Sequence, residues 1–213
     1  QGRWFMGIVL VALLALSGWQ WLAGGMAIDD AVRYASFNAI SVLTGTGYSS
    51  ADYSGWGSFA LPAFTVLMFI GGCTGGTTGG IKVFRFQVLY ATARVQIHQL
   101  IQPHGVFPMK YNHRPIPETV PGAVMGFFFL FIVSFGVLAM ALSLMGLDYI
   151  TSISGAATAL ANVGPGLGPI IGPSGTFQPL PEAAKWLLSF AMLLGRLELF
   201  TVLILLVPTF WRD

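Results

Sequence analysis

The chain has 213 residues, of which 55% are hydrophobic and only 8% charged, with a formal net charge of +2. A soluble globular domain carries about 25% charged residues, so the composition excludes that class and indicates a chain that crosses a membrane several times. A single cysteine, Cys73, excludes an internal disulfide and any cysteine-rich metal site.

The first apolar run, RWFMGIVLVALLALSGWQWLA from Arg3 to Ala23, is long enough to span a bilayer. It ends in Trp19 and Trp21 rather than in a short apolar region with a small-residue cleavage site, so it reads as a permanent span and not a signal peptide. DDAVRYASFNAISVLT follows. At about 16 residues, or about 24 Å as a helix, it is too short and too polar to cross a hydrocarbon core about 30 Å thick. It is expected to dip in from the outer surface and stop, with Asp29 or Asp30 as N-cap complementing the positive end of the helix dipole.

TGTGYSS, residues 44–50, then exposes backbone at membrane depth. Such backbone is tolerated only when buried in protein or facing water. The carbonyls of Thr44, Gly45, Thr46 and Gly47 can replace part of the hydration shell of a monovalent cation, with a helix C-terminus adding a favourable field. Gly47 reaches the required backbone angles without a Cβ penalty. Taken alone, the segment also fits an ordinary extracellular turn.

A second apolar run extends from Gly55 to Gly72 and leads into GGCTGGTTGG, with Gly71, Gly72, Gly75, Gly76, Gly79 and Gly80. At about 1 kcal/mol per glycine relative to alanine, this stretch is expected to break the helix that would otherwise run from Trp56 towards Leu100. A phosphate-binding loop does not fit, because Lys82 follows Ile81 with no Ser or Thr after it and no strand before the loop.

From Lys82 to Arg114 the chain carries Lys82, Arg85, Arg94, Lys110 and Arg114 without an acid, and Pro115 and Pro117 close the stretch. The positive-inside rule places it in the cytoplasm. His98, His104 and His113 lack metal-site spacing. A long span follows from near Val120, then a weakly polar segment from Asp148 to Gln178, then a last span from Glu182 to about Val207. With the first and third spans running outward, Arg3, the five basic residues above and Arg212 fall inside, and only Arg33 and Lys185 outside. The C-terminus is therefore expected in the cytoplasm. Arg196, deep in the last span, costs at least a few kcal/mol unless it faces the protein interior or water. Glu198 lies on a different helical face.

One order occurs twice: a long span, an aspartate opening a short segment, a glycine loop, and a further span entered near a tryptophan. Asp148 and the segment DYITSISGAATALAN mirror the first case, with Asn162, Val163 and Gly164 in the place of the first glycine loop. Internal repetition implies a pseudosymmetric assembly.

These residues resemble the Trk/Ktr/HKT family of potassium transport proteins, of the TrkH type. The resemblance rests on TGTGYSS at 44–50, GGCTGGTTGGIK at 71–82, NVGPGLG at 162–168 and LLGRLELFTVLILLVPTFWRD at 193–213. It implies an all-α polytopic protein of the bacterial inner membrane with M1-pore helix-M2 repeats related to potassium channels. Residues 1–101 would be the third repeat, 102–117 a cytoplasmic linker and 118–213 the fourth repeat. It further implies potassium as the transported ion, no cofactor in this chain, and a filter formed by Thr44, Gly45, Thr46, Gly47, Asn162, Val163 and Gly164. By the same resemblance Gly71, Gly72, Gly75, Gly76, Gly79 and Gly80 form an intramembrane gate with Arg196 below the filter. The implied partners are the N-terminal half of the same transporter, a second copy in a homodimer, a cytoplasmic TrkA-type nucleotide-binding ring and membrane lipid, with no nucleic acid.

The pattern departs from potassium channels at Asn162 and Pro165, which stand where channels have threonine and tyrosine. Only two of four quarter-filters are present, so the conduction pathway needs further chain. A sodium-coupled symporter half with broken helices is the alternative, although only residues 71–80 resemble its mid-span breaks. An intramembrane protease would need a base within a span, and apart from Lys185 at the outer end of the last span no histidine or lysine lies in one. A passive hinge at 71–80 and a structural ion pair for Arg196 also remain open.

Overall fold

The computed structural model describes residues 1–76, 78–103, 105, 107–108, 110–111, 114–117, 119–197, 199–205 and 208–211. His104, His113, Glu198 and Arg212 lie outside the described residues.

Helix α1, Gly2–Leu22, buries Val9, Ala12, Leu16 and Gln20 on one face and leaves Met6, Leu10, Val11 and Leu14 exposed. The buried positions recur every three or four residues, as one stripe of a 3.6-residue helix must, and the exposed leucines suit lipid. Against this stripe packs α2, Ile28–Thr44, whose contact face carries Ala31, Ala35 and Ala39 at four-residue spacing. Small side chains let the two backbones approach closely, which is how helices associate where no hydrophobic driving force exists. The start of α2 differs from expectation. Its N-cap is Ala27, and Asp29 and Asp30 lie inside the first turn, where they still complement the dipole. Asp30 pairs with Arg33 at 2.8 Å on the exposed surface.

A single 3-10 turn, Tyr53–Gly55, leads to α3, Ala60–Phe69. Ten residues rise only about 15 Å, so the run from Gly55 to Gly72 is not a membrane-crossing helix in itself. The chain breaks at Ile70 and resumes as α4, Val83–Ile101, as the glycine content of 71–80 requires. Among the described residues, a two-residue antiparallel pair, β1 Lys110–Tyr111 with β2 Arg114–Pro115, with Lys110 opposite Pro115, and an isolated bridge between Ile70 and Ile81 depart from the expected all-helical chain.

Helix α5, Thr119–Leu144, is apolar throughout, and α6, Tyr149–Ala161, is short and almost wholly buried. Asp148 caps α6 by accepting from the Thr151 N–H at 3.1 Å, and the Thr151 side chain first, then the backbone N–H groups of the first turn, hold its carboxyl below the usual carboxylate range. After the short turn α7, Gly168–Ile171, the expected last span divides into α8, Glu182–Arg196, and α9, Leu199–Leu205. Arg196 therefore ends a helix instead of sitting in the middle of one.

Among the described residues, α1 and α5 are the helices long and apolar enough to cross a membrane. Two hydrophobic clusters form around them. One joins α1, α2 and α3; the other joins α5, α6 and α8. Ala157 and Ala161 of α6 belong to the first cluster, Ala156, Ala159 and Leu160 to the second. Helix α6 is thus the central pillar between the two halves.

Candidate functional site

The two short helices α2 and α6 end in the same way. In α2, Gly45 takes the left-handed conformation (φ 66°, ψ 24°), its N–H reaches the Val42 carbonyl at 3.1 Å, and Thr46 N–H reaches Ser41 O at 3.0 Å. In α6, Asn162 is left-handed (φ 53°, ψ 44°), its N–H reaches Ala159 O at 3.3 Å, and Val163 N–H reaches Thr158 O at 3.1 Å. These bonds satisfy carbonyls that a helix end leaves orphaned. Ser41, Gly45, Thr46 and Gly47 thus match Thr158, Asn162, Val163 and Gly164 one by one, and both closing glycines have positive φ, 75° at Gly47 and 119° at Gly164.

Each loop is tied back to its own helix by a buried polar side chain. Asn38 accepts from Ser50 N–H at 3.0 Å and donates to Tyr34 O at 2.8 Å. Ser154 accepts from Leu167 N–H at 2.9 Å, and Thr158 accepts from Gly164 N–H at 3.0 Å. These anchors escape a motif reading, but the signal is there: Asn38, Ser154 and Thr158 are polar residues at most 1% exposed on the buried faces of α2 and α6, and a buried polar group needs a partner. Thr44 and Thr46 turn their hydroxyls inward as well, Thr44 to Ile40 O at 2.8 Å and Thr46 to the Ser41 hydroxyl at 3.0 Å. The Asn162 amide donates to Met192 O of α8 at 3.0 Å. With these side chains engaged elsewhere, what the two segments have left to offer is main chain.

The segments meet. A Cβ on Gly47 would fall onto the Val163 carbonyl oxygen and lie 3.3 Å from Pro165 Cδ; one on Gly164 would lie 3.6 Å from Gly47 Cα. A Cβ on Gly45 would lie 3.7 Å from Asn162 O. The structure therefore brings Gly45, Gly47, Asn162, Val163 and Gly164 together as bare backbone.

The glycine-rich loop lies against them. Its base is closed by Gly71 N–H to Ile81 O at 2.9 Å, Ile81 N–H to Phe69 O at 2.9 Å and Val83 N–H to Gly72 O at 3.2 Å. Thr78 accepts from Gly72 N–H at 3.0 Å, and its methyl lies 3.9 Å from the position a Cβ on Gly45 would take. Gly79 is pressed on the end of α6: a Cβ there would strike the Ala161 carbonyl and come within 3.0 Å of Asn162 Cβ. Gly71 is equally confined, by the Gly79 carbonyl, whereas Gly75 faces open space at φ 97° and Gly80 is left-handed at φ 71°. Gly76 N–H closes a turn on Cys73 O at 3.1 Å.

Beside the loop is a cavity of about 150 Å3 lined by Gly76, Thr78, Gly79, Gly80, Gly195 and Arg196, together with Lys82 and Arg85. The Arg85 guanidinium stacks 3.7 Å from the centre of the Phe127 ring. Arg196 occupies the last turn of α8, where a cation complements the helix dipole. Lys82 and Arg85 read in the sequence as part of a cytoplasmic basic stretch. Their position immediately after the glycine loop is what brings them here. Among the described residues no cluster of histidine, cysteine or carboxylate side chains is arranged to hold a metal ion.

Residues 5–212 match the TrkH family, described as a cation transport protein. The chain is 51% identical over 206 residues to the Trk system potassium uptake protein TrkI of Halomonas elongata, covering 97% of this chain and 42% of that relative. It is 34% identical over 213 residues to TrkH of Escherichia coli, covering 99% and 43%. The crystal structure of the potassium transporter TrkH from Vibrio parahaemolyticus superposes with a TM-score of 0.89 at 34% identity, over 98% of this chain and 44% of that chain. The chain thus spans less than half the length of these relatives. On this evidence it belongs to the TrkH family of cation transport proteins, which are transporters and not enzymes.

Proposed function

We propose that this chain supplies half of a potassium uptake pathway across the bacterial inner membrane, with main-chain oxygens of Thr44 to Gly47 and Asn162 to Gly164 as two quarters of a selectivity filter. The observation that carries this reading is the contact between Gly47 and Gly164 at the ends of two identically terminated helices. Two negative helix ends and a collar of unclaimed main-chain groups suit a dehydrated monovalent cation, and the relatives are named as potassium uptake proteins.

In this reading α1, α2 and α3–α4 form one M1-pore helix-M2 unit within residues 1–101, and α5, α6 and α8–α9 form the next within 118–213, joined by a cytoplasmic linker at 102–117. The other two quarters come from the N-terminal half of a full-length protein. The loop 71–80 is the gate, because Thr78 lies beside Gly45 and Gly79 is packed on the end of α6 at Ala161 and Asn162, so the loop lies against both filter segments at once. Arg196 keeps cation occupancy low beneath it. Both chain ends face the cytoplasm, where a TrkA-type nucleotide-binding ring would act on the gate of each member of a homodimer.

A coupled-transport reading draws on the paired breaks, after Phe69 and after Arg196, because interrupted helices at corresponding places in two halves are a transporter feature. One assay addresses both. In a strain lacking its own potassium uptake, the full-length protein is expected to accumulate potassium and rubidium in preference to sodium. Gly47→Ser and Gly164→Ser are each expected to lower that preference about tenfold, equivalent to about 1.4 kcal/mol of differential binding. An unchanged preference in both variants would contradict the filter, and uptake that requires a sodium gradient would favour coupled transport.

A further inference from the structure

We infer that the cytoplasmic end of α1 and α4 holds an anionic phospholipid of the inner leaflet, its phosphate against Arg3 and Arg94 and one acyl chain in the groove between α1 and α3. Two cavities that share a wall carry this inference. The first, about 850 Å3, is lined by Arg3 and Trp4 from α1, Tyr90, Arg94 and His98 from α4, and Phe107. The second, about 580 Å3, shares Arg3 and Trp4, then follows Gly7, Val11 and Ala15 along α1 opposite Val66 and Ile70.

The chemistry changes where the cavities join. Among the described residues no carboxylate lines the first, and neither Arg3 nor Arg94 has an ion-pair or hydrogen-bond partner. Arg94 and His98 stand one helical turn apart, so they face the same side. Aromatic rings frame the mouth: Trp4 and Tyr90 lie 5.5 Å apart, and His98 stacks on Phe107 at 5.5 Å. Tryptophan, tyrosine and unpaired cations together mark the headgroup level of a cytoplasmic leaflet, and basic pockets between helices on that side bind anionic headgroups. The second cavity, by contrast, is almost wholly apolar. From Trp4 to Ala15 it rises about 16 Å along α1, the depth of one leaflet of a core about 30 Å thick. A headgroup pocket that opens into an acyl-length groove fits a lipid. It fits neither free phosphate nor an acidic peptide, which would leave the groove empty.

The inference stands apart from the filter reading, because no residue of either cavity belongs to the filter or the gate. Its test is a titration of the purified full-length protein with phosphatidylglycerol and with phosphatidylcholine, followed by native mass spectrometry. One phosphatidylglycerol per chain is expected to bind in preference to phosphatidylcholine. Arg3→Gln combined with Arg94→Gln is expected to weaken it about 25-fold, at about fivefold per cation near a membrane surface, while Arg33→Gln at the opposite end leaves it unchanged. Gly7→Phe fills open space in the groove, since nothing lies within 4 Å of a Cβ there. It is expected to expel long-chain lipid while a short-chain phosphatidylglycerol still binds. Equal binding of the two lipids would overturn the proposal. So would indifference to the double charge variant, or a cross-linker at position 7 that captures another segment of the transporter in place of lipid.

Discussion

Deleting residues 74–76 in the full-length protein, or replacing Arg196 with alanine, is expected to raise the basal cation flux about tenfold while the protein still folds. The deleted stretch lies wholly inside the loop. Every bond that closes the base, from Phe69, Gly71 and Gly72 to Ile81 and Val83, lies outside it. Shortening the excursion pulls Thr78 and Gly79 away from Gly45 and Ala161, beside which they now lie. For Arg196 the reason is electrostatic. A unit positive charge about 8 Å from a passing cation costs it about 2 kcal/mol at an effective dielectric of about 20, and water in the cavity screens part of that. A tenfold rise in rate needs only about 1.4 kcal/mol. Rubidium uptake into vesicles containing the purified protein, without its cytoplasmic regulator, measures the effect. Well-expressed variants with unaltered basal flux would leave 71–80 a passive hinge and Arg196 a structural cation.

Gly195→Val is expected to cost about 3 kcal/mol of stability, because α8 crosses α6 at this point with no space for a side chain. A Cβ would strike the Leu160 carbonyl, with the carbonyl carbon at 2.7 Å and Asn162 Nδ2 at 2.9 Å. Two of these obstacles are backbone and cannot rotate away, so α8 must move off α6. Overpacking of this kind costs about 1–3 kcal/mol, and the shift also breaks the Asn162–Met192 hydrogen bond, which contributes about 1 kcal/mol. Gly136→Ala in α5 is the control. Nothing lies within 4 Å of its Cβ, and glycine is about 1 kcal/mol worse than alanine inside a helix, so that change is expected to be neutral or stabilising. Thermal unfolding of the two variants beside the parent decides the matter. Equal melting temperatures for all three would mean that the α6–α8 contact is not tight.

The elements that sequence alone reveals are those set by local physics. Helices α1 and α5 follow from unbroken apolar length. Helices α2 and α6 follow from being too short and too polar to span. The break between α3 and α4 follows from six glycines in ten residues. What sequence conceals is set by tertiary packing. The division between α8 and α9 falls where Gly195, Arg196 and Glu198 interrupt a long apolar stretch, a far weaker local signal than the glycine run at 71–80, and α2 starts at Ile28 with Ala27 as N-cap and no side-chain cap, earlier than an aspartate cap would set it. Lys82 and Arg85 share a cavity with Arg196 only because the loop base draws α3 and α4 together. The glycine loops themselves are legible one at a time as turns or as ion ligands. Their meeting, Gly47 against Gly164, is a property of the fold.

Diffraction from the full-length protein grown with thallium or rubidium, recorded at the absorption edge of the ion, bears most directly on whether main-chain oxygens here hold a bare cation. The expected result is an anomalous peak on the axis enclosed by Gly45 to Gly47 and Asn162 to Gly164, in contact with their carbonyl oxygens and absent from crystals of Gly47→Ser. Full occupancy elsewhere, with no peak between these two segments, would show that their exposed backbone serves some purpose other than binding the ion.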